Sequence, residues 1–319
     1  MKVLITGATG FVGQAITKKL EKDAAYVVVV AVRSHLQNFS AAVSRVVAGD
    51  LTAKTDWSTA LQGVEVVVHC AARVHVMEDK ASDPITEYRK INVDGTMKLI
   101  NDAHRAGCKR FIFLSSIKVN GEKTTDQAYS ADEVPHPEDA YGISKYEAEN
   151  KLLEFSKNND IEVVIIRPPL VYGPGVKANF QKMMKWLNKG IPLPFGLIKN
   201  KRSMVALDNL VDLIVVCLKH PKARNEVFLV SDDKALSTKD LLVLLGSALG
   251  KSVFLIPIPM TLLKLLFSLI GKRSMIDRLN DSLVVDIQKT KNFLNWKPPY
   301  SVESQLNVTA QAYLNGEKK

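Results

Sequence analysis

Lys2-Val3-Leu4-Ile5-Thr6-Gly7-Ala8-Thr9-Gly10-Phe11-Val12-Gly13 is the stretch that decides the fold. Val3–Thr6 is a short apolar run of the kind that makes a buried strand, and from Val12 to Leu20 the apolar spacing turns helical. The glycines fall at the junction. Gly7 and Gly10 permit a tight turn and close approach of backbone to a pyrophosphate, and Gly13 lets the helix lie against the strand. The new helix offers free N–H groups and partial positive charge to the phosphates. Thr9, Phe11 and Val12 belong to the same turn. The spacing is Gly-x-x-Gly-x-x-Gly, not Gly-x-Gly-x-x-Gly, but its place between strand and helix identifies a dinucleotide site.

Outward from this unit the pattern repeats. Val27–Val32, Val64–His69, Phe111–Ser115 and Val163–Arg167 read as buried parallel strands, with helical spacing between them, as over Val93–Ala106. Such alternation predicts an α/β fold, a Rossmann-type doubly wound parallel sheet whose strand-end loops share one ligand-binding edge. After Arg167, Pro168-Pro169 and Tyr172-Gly173-Pro174-Gly175 break regular structure. A helix at Asp208–Leu218 and a strand at Glu226–Val230 bring the chain back to the sheet. Residues 1–168 plus 205–231 are therefore expected to form the nucleotide domain. Residues 169–204 plus 232–319 are expected to form a smaller, mostly helical substrate lobe.

Length and composition narrow the class. With 319 residues, 46% hydrophobic and 24% charged, the chain can bury a sizeable core and reads as a soluble globular protein. Cys70, Cys108 and Cys217 lie far apart, form no metal-ligand pattern and fit a reducing cytoplasm. The first apolar run is too short for a signal peptide. The net charge of +10 has no dense basic helix with interleaved aromatics, so no nucleic-acid partner is expected. Met260–Ile270 is almost wholly apolar apart from a narrow stripe of Thr261, Lys264 and Ser268. It falls well short of the ~20 residues a span needs. A buried or subunit-facing helix is expected there, with membrane-surface contact through 260–273 as the alternative.

Other residues carry chemistry. Arg33 follows the second strand, where an acidic residue suits the ribose of NAD and an arginine suits the 2′-phosphate of NADP. This favours NADP(H), with NAD(H) as the alternative. Asp50, in Gly49-Asp50-Leu51, is placed to meet the adenine, and Ala71 and Ala72 follow the next strand on the cofactor side. Tyr141 and Lys145 share a helix face. Free tyrosine titrates near pH ~10, and a close positive charge lowers that by roughly 1–3 units, so the pair can handle a proton beside a carbonyl or alcohol. Ser116, at a strand end upstream, can hold the same oxygen.

The glycine turn, Ser115–Gly121, the Tyr141/Lys145 pair and Arg167-Pro-Pro-Leu-Val-Tyr-Gly-Pro-Gly175 occur together. The chain thereby resembles extended short-chain dehydrogenases/reductases, in the nucleotide-sugar epimerase, dehydratase and 4-ketoreductase branch, near bacterial O-antigen and capsule enzymes. The resemblance implies an enzyme with Ser116 and Tyr141 as catalytic hydroxyls. It implies that Lys145 holds the nicotinamide ribose and tunes the tyrosine, and that Asn92 supports the proton path. Pro168 joins the cofactor contacts. Asn179, Arg202, Arg278 and Asp281 match substrate contacts to a nucleotide diphosphate, and UDP is the implied nucleotide. A homodimer is implied, and no metal.

Two positions depart from the family pattern. Asn120 replaces a common tyrosine. Lys118 stands where a small or hydroxyl residue is usual, and strand-like alternation places it beside Ser116, within reach of the sugar or a phosphate or only solvated. The reading favoured here is NADPH-dependent reduction of the C4 ketone of a UDP-2-acetamido-2,6-dideoxy-4-keto-hexose. A UDP-hexose or UDP-N-acetylhexosamine 4-epimerase with tightly bound NAD is the alternative, and a non-catalytic NADP(H)-binding regulator the remote one.

Overall fold

Each valine- or isoleucine-rich run forms a strand, because β-branched side chains pack well on a pleated surface covered on both faces. The computed structural model describes residues 1–34, 39–74, 83–269 and 279–317. In chain order the strands are β1 (Lys2–Thr6), β2 (Val27–Val32), β3 (Val43–Val47), β4 (Val66–His69), β5 (Arg110–Leu114), β6 (Glu162–Arg167), β7 (Leu170–Tyr172), β8 (Met204–Ala206) and β9 (Glu226–Leu229). The helices are α1 (Phe11–Leu20), α2 (Pro84–Arg89), α3 (Thr96–Arg105), α4 (Ala140–Asn158), α5 (Ala178–Asn188), α6 (Leu207–Cys217), α7 (Thr238–Ala248), α8 (Met260–Leu269), α9 (Gln288–Leu294) and α10 (Val302–Glu317).

The main sheet runs β3-β2-β1-β4-β5-β6-β9, every pair parallel. From β1 the chain moves outward to β2 and β3, then returns to place β4 on the other side. That reversal opens a crevice at the carboxyl ends of β1 and β4, where Thr6 pairs with His69. One face of the sheet is covered by Ile16, Leu20, Val211 and Ile214 from α1 and α6. The other is covered by Leu99, Ile100, Ala148 and Leu152 from α3 and α4. A third apolar cluster, including Tyr172, Phe180, Leu245 and Leu306, forms the mostly helical C-terminal lobe with α5, α7 and α10.

Two expectations change. The helix expected over Val93–Ala106 begins as a π-helical turn, Lys90–Gly95, before α3. A side chain at Gly95 would come within 2.7 Å of Leu51, so the wide turn carries the chain close over the loop after β3. The second concerns α8, which is neither wholly buried nor polar outside. Leu263 is buried in the lobe, while Leu262, Leu265 and Leu269 face solvent. Ile270–Arg273 lie outside the described residues.

Candidate active site

The crevice is shaped by glycine. Gly7 has φ +66°, and a Cβ there would lie 2.6 Å from the backbone nitrogen of Ala71. Only glycine therefore lets the turn after β1 meet the segment Ala71–Ala72 after β4. Gly10 N–H donates to the Gly7 carbonyl (2.9 Å) and closes the turn. A Cβ on Gly13 would press to 2.2 Å from the same oxygen, so the start of α1 sits directly on the loop. No side chain caps α1 and no acid stands in its first turn, which leaves its N–H groups for an anion. Thr9, Phe11 and Val12 lie on this rim. These features fit a dinucleotide pyrophosphate.

Arg33 is exposed one residue beyond β2, and Asp50 is exposed beyond β3 with Leu51 half-buried beside it. Both loops stand at the same edge as Gly7. Sequence reading missed His69, which is buried between Thr6 Oγ1 (Nδ1, 2.6 Å) and Thr96 Oγ1 (Nε2, 2.9 Å). Burial pushes its pKa down to about 3, so it is a neutral clamp between β1, β4 and α3. Its place as a polar residue ending the apolar run Val66–His69 was the available signal.

The proton-handling side is built on α4. Asp139 caps this helix, its Oδ1 accepting from Gly142 N–H at 2.7 Å. That fixes the first turn, where Tyr141 sits half-buried with the Ser116 hydroxyl near enough to act on its phenol. Ser116 ends the extended segment after β5, and its Oγ accepts from Lys118 N–H at 3.2 Å. Ile117 N–H donates to the carbonyl of buried Pro168 (3.0 Å), which ties this turn to the strand end of β6.

Lys145 is 1% exposed. Its ammonium donates to the Leu114 carbonyl (2.8 Å) and lies 4.2 Å from the centre of the Phe113 ring. Burial lowers its pKa to about 8, opposed by Cys70 and Glu149. Burial, with Asp139 and Tyr88 adding, raises the Tyr141 phenol above its usual value, against the Ser116 hydrogen bond. The expectation that Lys145 lowers the tyrosine pKa therefore does not hold in this geometry. The ammonium is engaged by a strand carbonyl, and desolvation of the phenol dominates. The raised pKa keeps the phenol in its protonated form at neutral pH.

Asn92 comes to this centre from the π-helical turn. Its Nδ2 donates to Ser144 Oγ and to the Arg73 carbonyl, both 3.0 Å, and its Oδ1 accepts from Arg73 N–H at 2.8 Å. Ser144 in turn donates to the Tyr141 carbonyl (2.8 Å). Asn92 thus fastens the α4 turn to the loop after β4. Ser144, and Tyr88 with its ring 6.1 Å from that of Tyr141, were not singled out from sequence. Ser144 was already visible between Tyr141 and Lys145.

Both departures from the family pattern have local reasons. Asn120 Oδ1 accepts from Arg167 (3.0 Å) and its Nδ2 donates to the Ser130 carbonyl (2.9 Å), which joins it to the buried Arg167–Glu149 ion pair. Lys118 lies in a 3-10 turn, Ile117–Val119, so strand alternation does not apply to it. Its ammonium is held by Glu122 (2.8 Å) and Asp139, not extended toward a ligand.

On the C-terminal lobe, Arg202 donates to the Asp281 carbonyl at 3.1 Å, so the two expected substrate residues meet. Asn179 is exposed in the first turn of α5, and Arg278 lies outside the described residues. The cysteines carry free thiols. Among the described residues no His/Cys/Asp/Glu cluster could hold a metal, and no helix is long and apolar enough to cross a membrane.

A glycine cradle, a hydroxyl pair and a buried lysine on a parallel sheet have a known counterpart. The model of the NAD dependent epimerase/dehydratase family matches residues 3–231. The chain belongs to this family. As an epimerase/dehydratase of the extended short-chain dehydrogenase/reductase type, it is an NAD(P)-dependent enzyme. It is 49% identical over 319 residues to a UDP-glucose 4-epimerase of Vibrio cholerae, covering 99% of this chain and 97% of the relative. It is 29% identical, over 79% of this chain and 73% of the relative, to the N-acetyl-alpha-D-glucosaminyl-diphospho-ditrans,octacis-undecaprenol 4-epimerase of Escherichia coli O157:H7. Among solved structures it resembles the UDP-glucuronic acid 4-epimerase of Bacillus cereus in complex with UDP-glucuronic acid and NAD (TM-score 0.78, 26% identity, 99% of both chains).

Proposed function

We propose that this protein is a nucleotide-sugar 4-epimerase that works on a UDP-linked hexose or N-acetylhexosamine. The observation that carries this reading is the full-length similarity, at 49% identity, to a protein named as a UDP-glucose 4-epimerase. The arrangement of Ser116, Tyr141 and Lys145 is compatible with it. Bound NAD(P) supplies the hydride acceptor and donor. Gly7, Gly10, Gly13 and the start of α1 would hold the pyrophosphate, and Ala71, Ala72, Leu51 and Pro168 would contribute to the rest of the cofactor site. Ser116 and Tyr141 bracket the C4 oxygen. Tyr141 exchanges its proton with that oxygen, Ser116 orients it, and Asn92 with Ser144 keeps the tyrosine in place. Positioned donors of this kind supply most of the acceleration. Lys145, one turn beyond Tyr141 on the same helix face, would hold the nicotinamide ribose and favour the phenolate as it forms. Arg202, Asn179 and Asp281 are the candidates for contacts to the nucleotide. Residues 169–204 plus 232–319 would form the substrate side.

A second reading is favoured by one residue. Arg33, exposed beyond β2, suits the 2′-phosphate of NADP and a cofactor released at each turnover. That is the behaviour of a 4-ketoreductase, which would use the protonated Tyr141 as its proton donor. One experiment separates the two. The copurifying nucleotide is identified. The protein is then given UDP-glucose and UDP-N-acetylglucosamine, and separately a UDP-4-keto-6-deoxy-N-acetylhexosamine with NADPH. Tightly held NAD and a C4 epimer formed without net NADH change support epimerisation. Stoichiometric NADPH oxidation, with no epimer from either UDP-sugar, transfers the assignment to the reductase. A polyprenyl diphosphate-linked N-acetylglucosamine in the same panel tests the carrier.

A further inference from the structure

The positive charge of this protein is not spread over it. Between Pro168 and Leu207 there are seven lysines and arginines, and between Leu241 and Leu269 two more. Neither stretch contains an aspartate or glutamate. Together they hold nine of the net ten positive charges, and both belong to the C-terminal lobe. Lys182, Lys185 and Lys189 are exposed along and just after α5, and Lys199 and Lys251 are exposed beyond it.

The same stretches carry the exposed apolar side chains. Of the sixteen large hydrophobic residues exposed among the described residues, seven fall in 191–197 and 254–269. These segments are joined. Leu193 N–H donates to the Phe254 carbonyl (2.9 Å), Ile256 N–H to Leu193 (2.9 Å) and Gly196 N–H to Ile256 (3.1 Å). α8 begins four residues after Ile256. Phe254 is 63% exposed. On α8, Leu262, Leu265 and Leu269 are 46%, 59% and 77% exposed and share one side of the helix, while Leu263 anchors the other side in the lobe.

Exposed leucines on one helix face, in a lobe whose stretches 168–207 and 241–269 carry nine basic residues and no carboxylate, are the combination that seats a helix in the headgroup layer of a bilayer. The charge decides between occupants. A second copy of this chain would bring a like-charged face against this one, which repulsion opposes. Nucleic acid would meet the lysines but leaves the aliphatic side chains without a role. An anionic bilayer meets both, since acyl chains take the leucines and headgroups take the lysines. We infer that the α8 face, with the lysines of the same C-terminal lobe, docks this enzyme on the surface of a membrane containing anionic phospholipid. The docking is peripheral and does not depend on which sugar nucleotide the enzyme uses.

The full-length protein is floated with vesicles of phosphatidylethanolamine and phosphatidylglycerol, and with pure phosphatidylcholine, at about 0.1 M and about 0.5 M salt. The test variant is Leu265→Asp/Leu269→Asp, distant from the cofactor cradle and on an exposed face. Its folding is checked by cofactor binding and Tm. Wild type is expected to float with phosphatidylglycerol vesicles. About tenfold weaker binding is expected to phosphatidylcholine, in high salt and in the variant. No flotation with phosphatidylglycerol, or equal flotation of the folded variant, overturns the inference. So does a wild-type dimer that the variant dissociates, in the absence of vesicle binding, since this would assign the face to a second copy.

Discussion

Lys145 is a buried cation, and replacing it with methionine tests the energetics of the site directly. Burial lowers its pKa from 10.5 to about 8. A native pKa below the unfolded one means that the unfolded chain binds more protons between the two values, so wild-type stability rises with pH across that window. The shift of about two and a half units corresponds to roughly 3 kcal/mol for holding the ammonium buried at pH 7, and most of it is relieved by pH ~10. Methionine fills similar volume without charge. It also deprives the Leu114 carbonyl of its ammonium donor, which costs about 1–3 kcal/mol independently of pH. The two effects nearly cancel at pH 7, so the absolute difference there is a poor test and the pH dependence is a good one. Urea denaturation of nucleotide-free wild type and Lys145→Met at pH 7 and pH ~10 should show the variant losing about 2–3 kcal/mol relative to wild type over that interval. A difference that stays constant within ~0.5 kcal/mol would refute the argument. Lys145 would then be either solvated or paired in a way the burial does not convey.

Gly7→Ala must move either its own turn or Ala71, because the added Cβ would lie 2.6 Å from Ala71 N and φ is +66°. A loss of about 1–3 kcal/mol in denaturant titration is expected, together with loss of cofactor binding by calorimetry. Tyr141→Phe should keep cofactor affinity and Tm while turnover falls by about 10²–10⁴-fold, read in a coupled assay. Arg33→Ala should weaken NADP⁺ by about tenfold or more and leave NAD⁺ unchanged in parallel titrations, and equal weakening of both would remove the arginine from cofactor selection. Arg167→Met strands Glu149, whose partner is 4% exposed and which is itself 1% exposed. Destabilisation of about 3–5 kcal/mol by urea titration is expected, against near neutrality if Glu149→Leu is added.

How much of this was legible beforehand varies from residue to residue. The cradle was readable because Gly7, Gly10 and Gly13 act through the absence of a side chain, and a short loop between a strand and a helix leaves their geometry little freedom. Tyr141 and Lys145 were placed on one helix face by spacing alone. Where the lysine points was not readable, since the Leu114 carbonyl that takes its ammonium lies 31 residues away. The same holds for Asn92, which meets Ser144 across 52 residues, and for His69, whose two threonine partners come from β1 and α3. Lys118 was misplaced because alternation was assumed in a segment that folds as a 3-10 turn. The π-helical turn before α3 has no signature in the spacing of its residues, and the close approach at Gly95, where a Cβ would lie 2.7 Å from Leu51, joins it to a segment more than 40 residues away.

By itself the sequence determined the parallel sheet, the nucleotide cradle and the residue types available for proton transfer. These rest on local period, turn chemistry and side-chain reactivity, which a linear chain already contains. Tertiary structure alone decided how those residues stand in charge and solvent. It buried the lysine, raised the tyrosine's pKa by desolvation, engaged Lys118 with two carboxylates and left Leu262, Leu265 and Leu269 of α8 exposed. Desolvation and electrostatics depend on which distant segments arrive around a group, and only the folded chain brings them together.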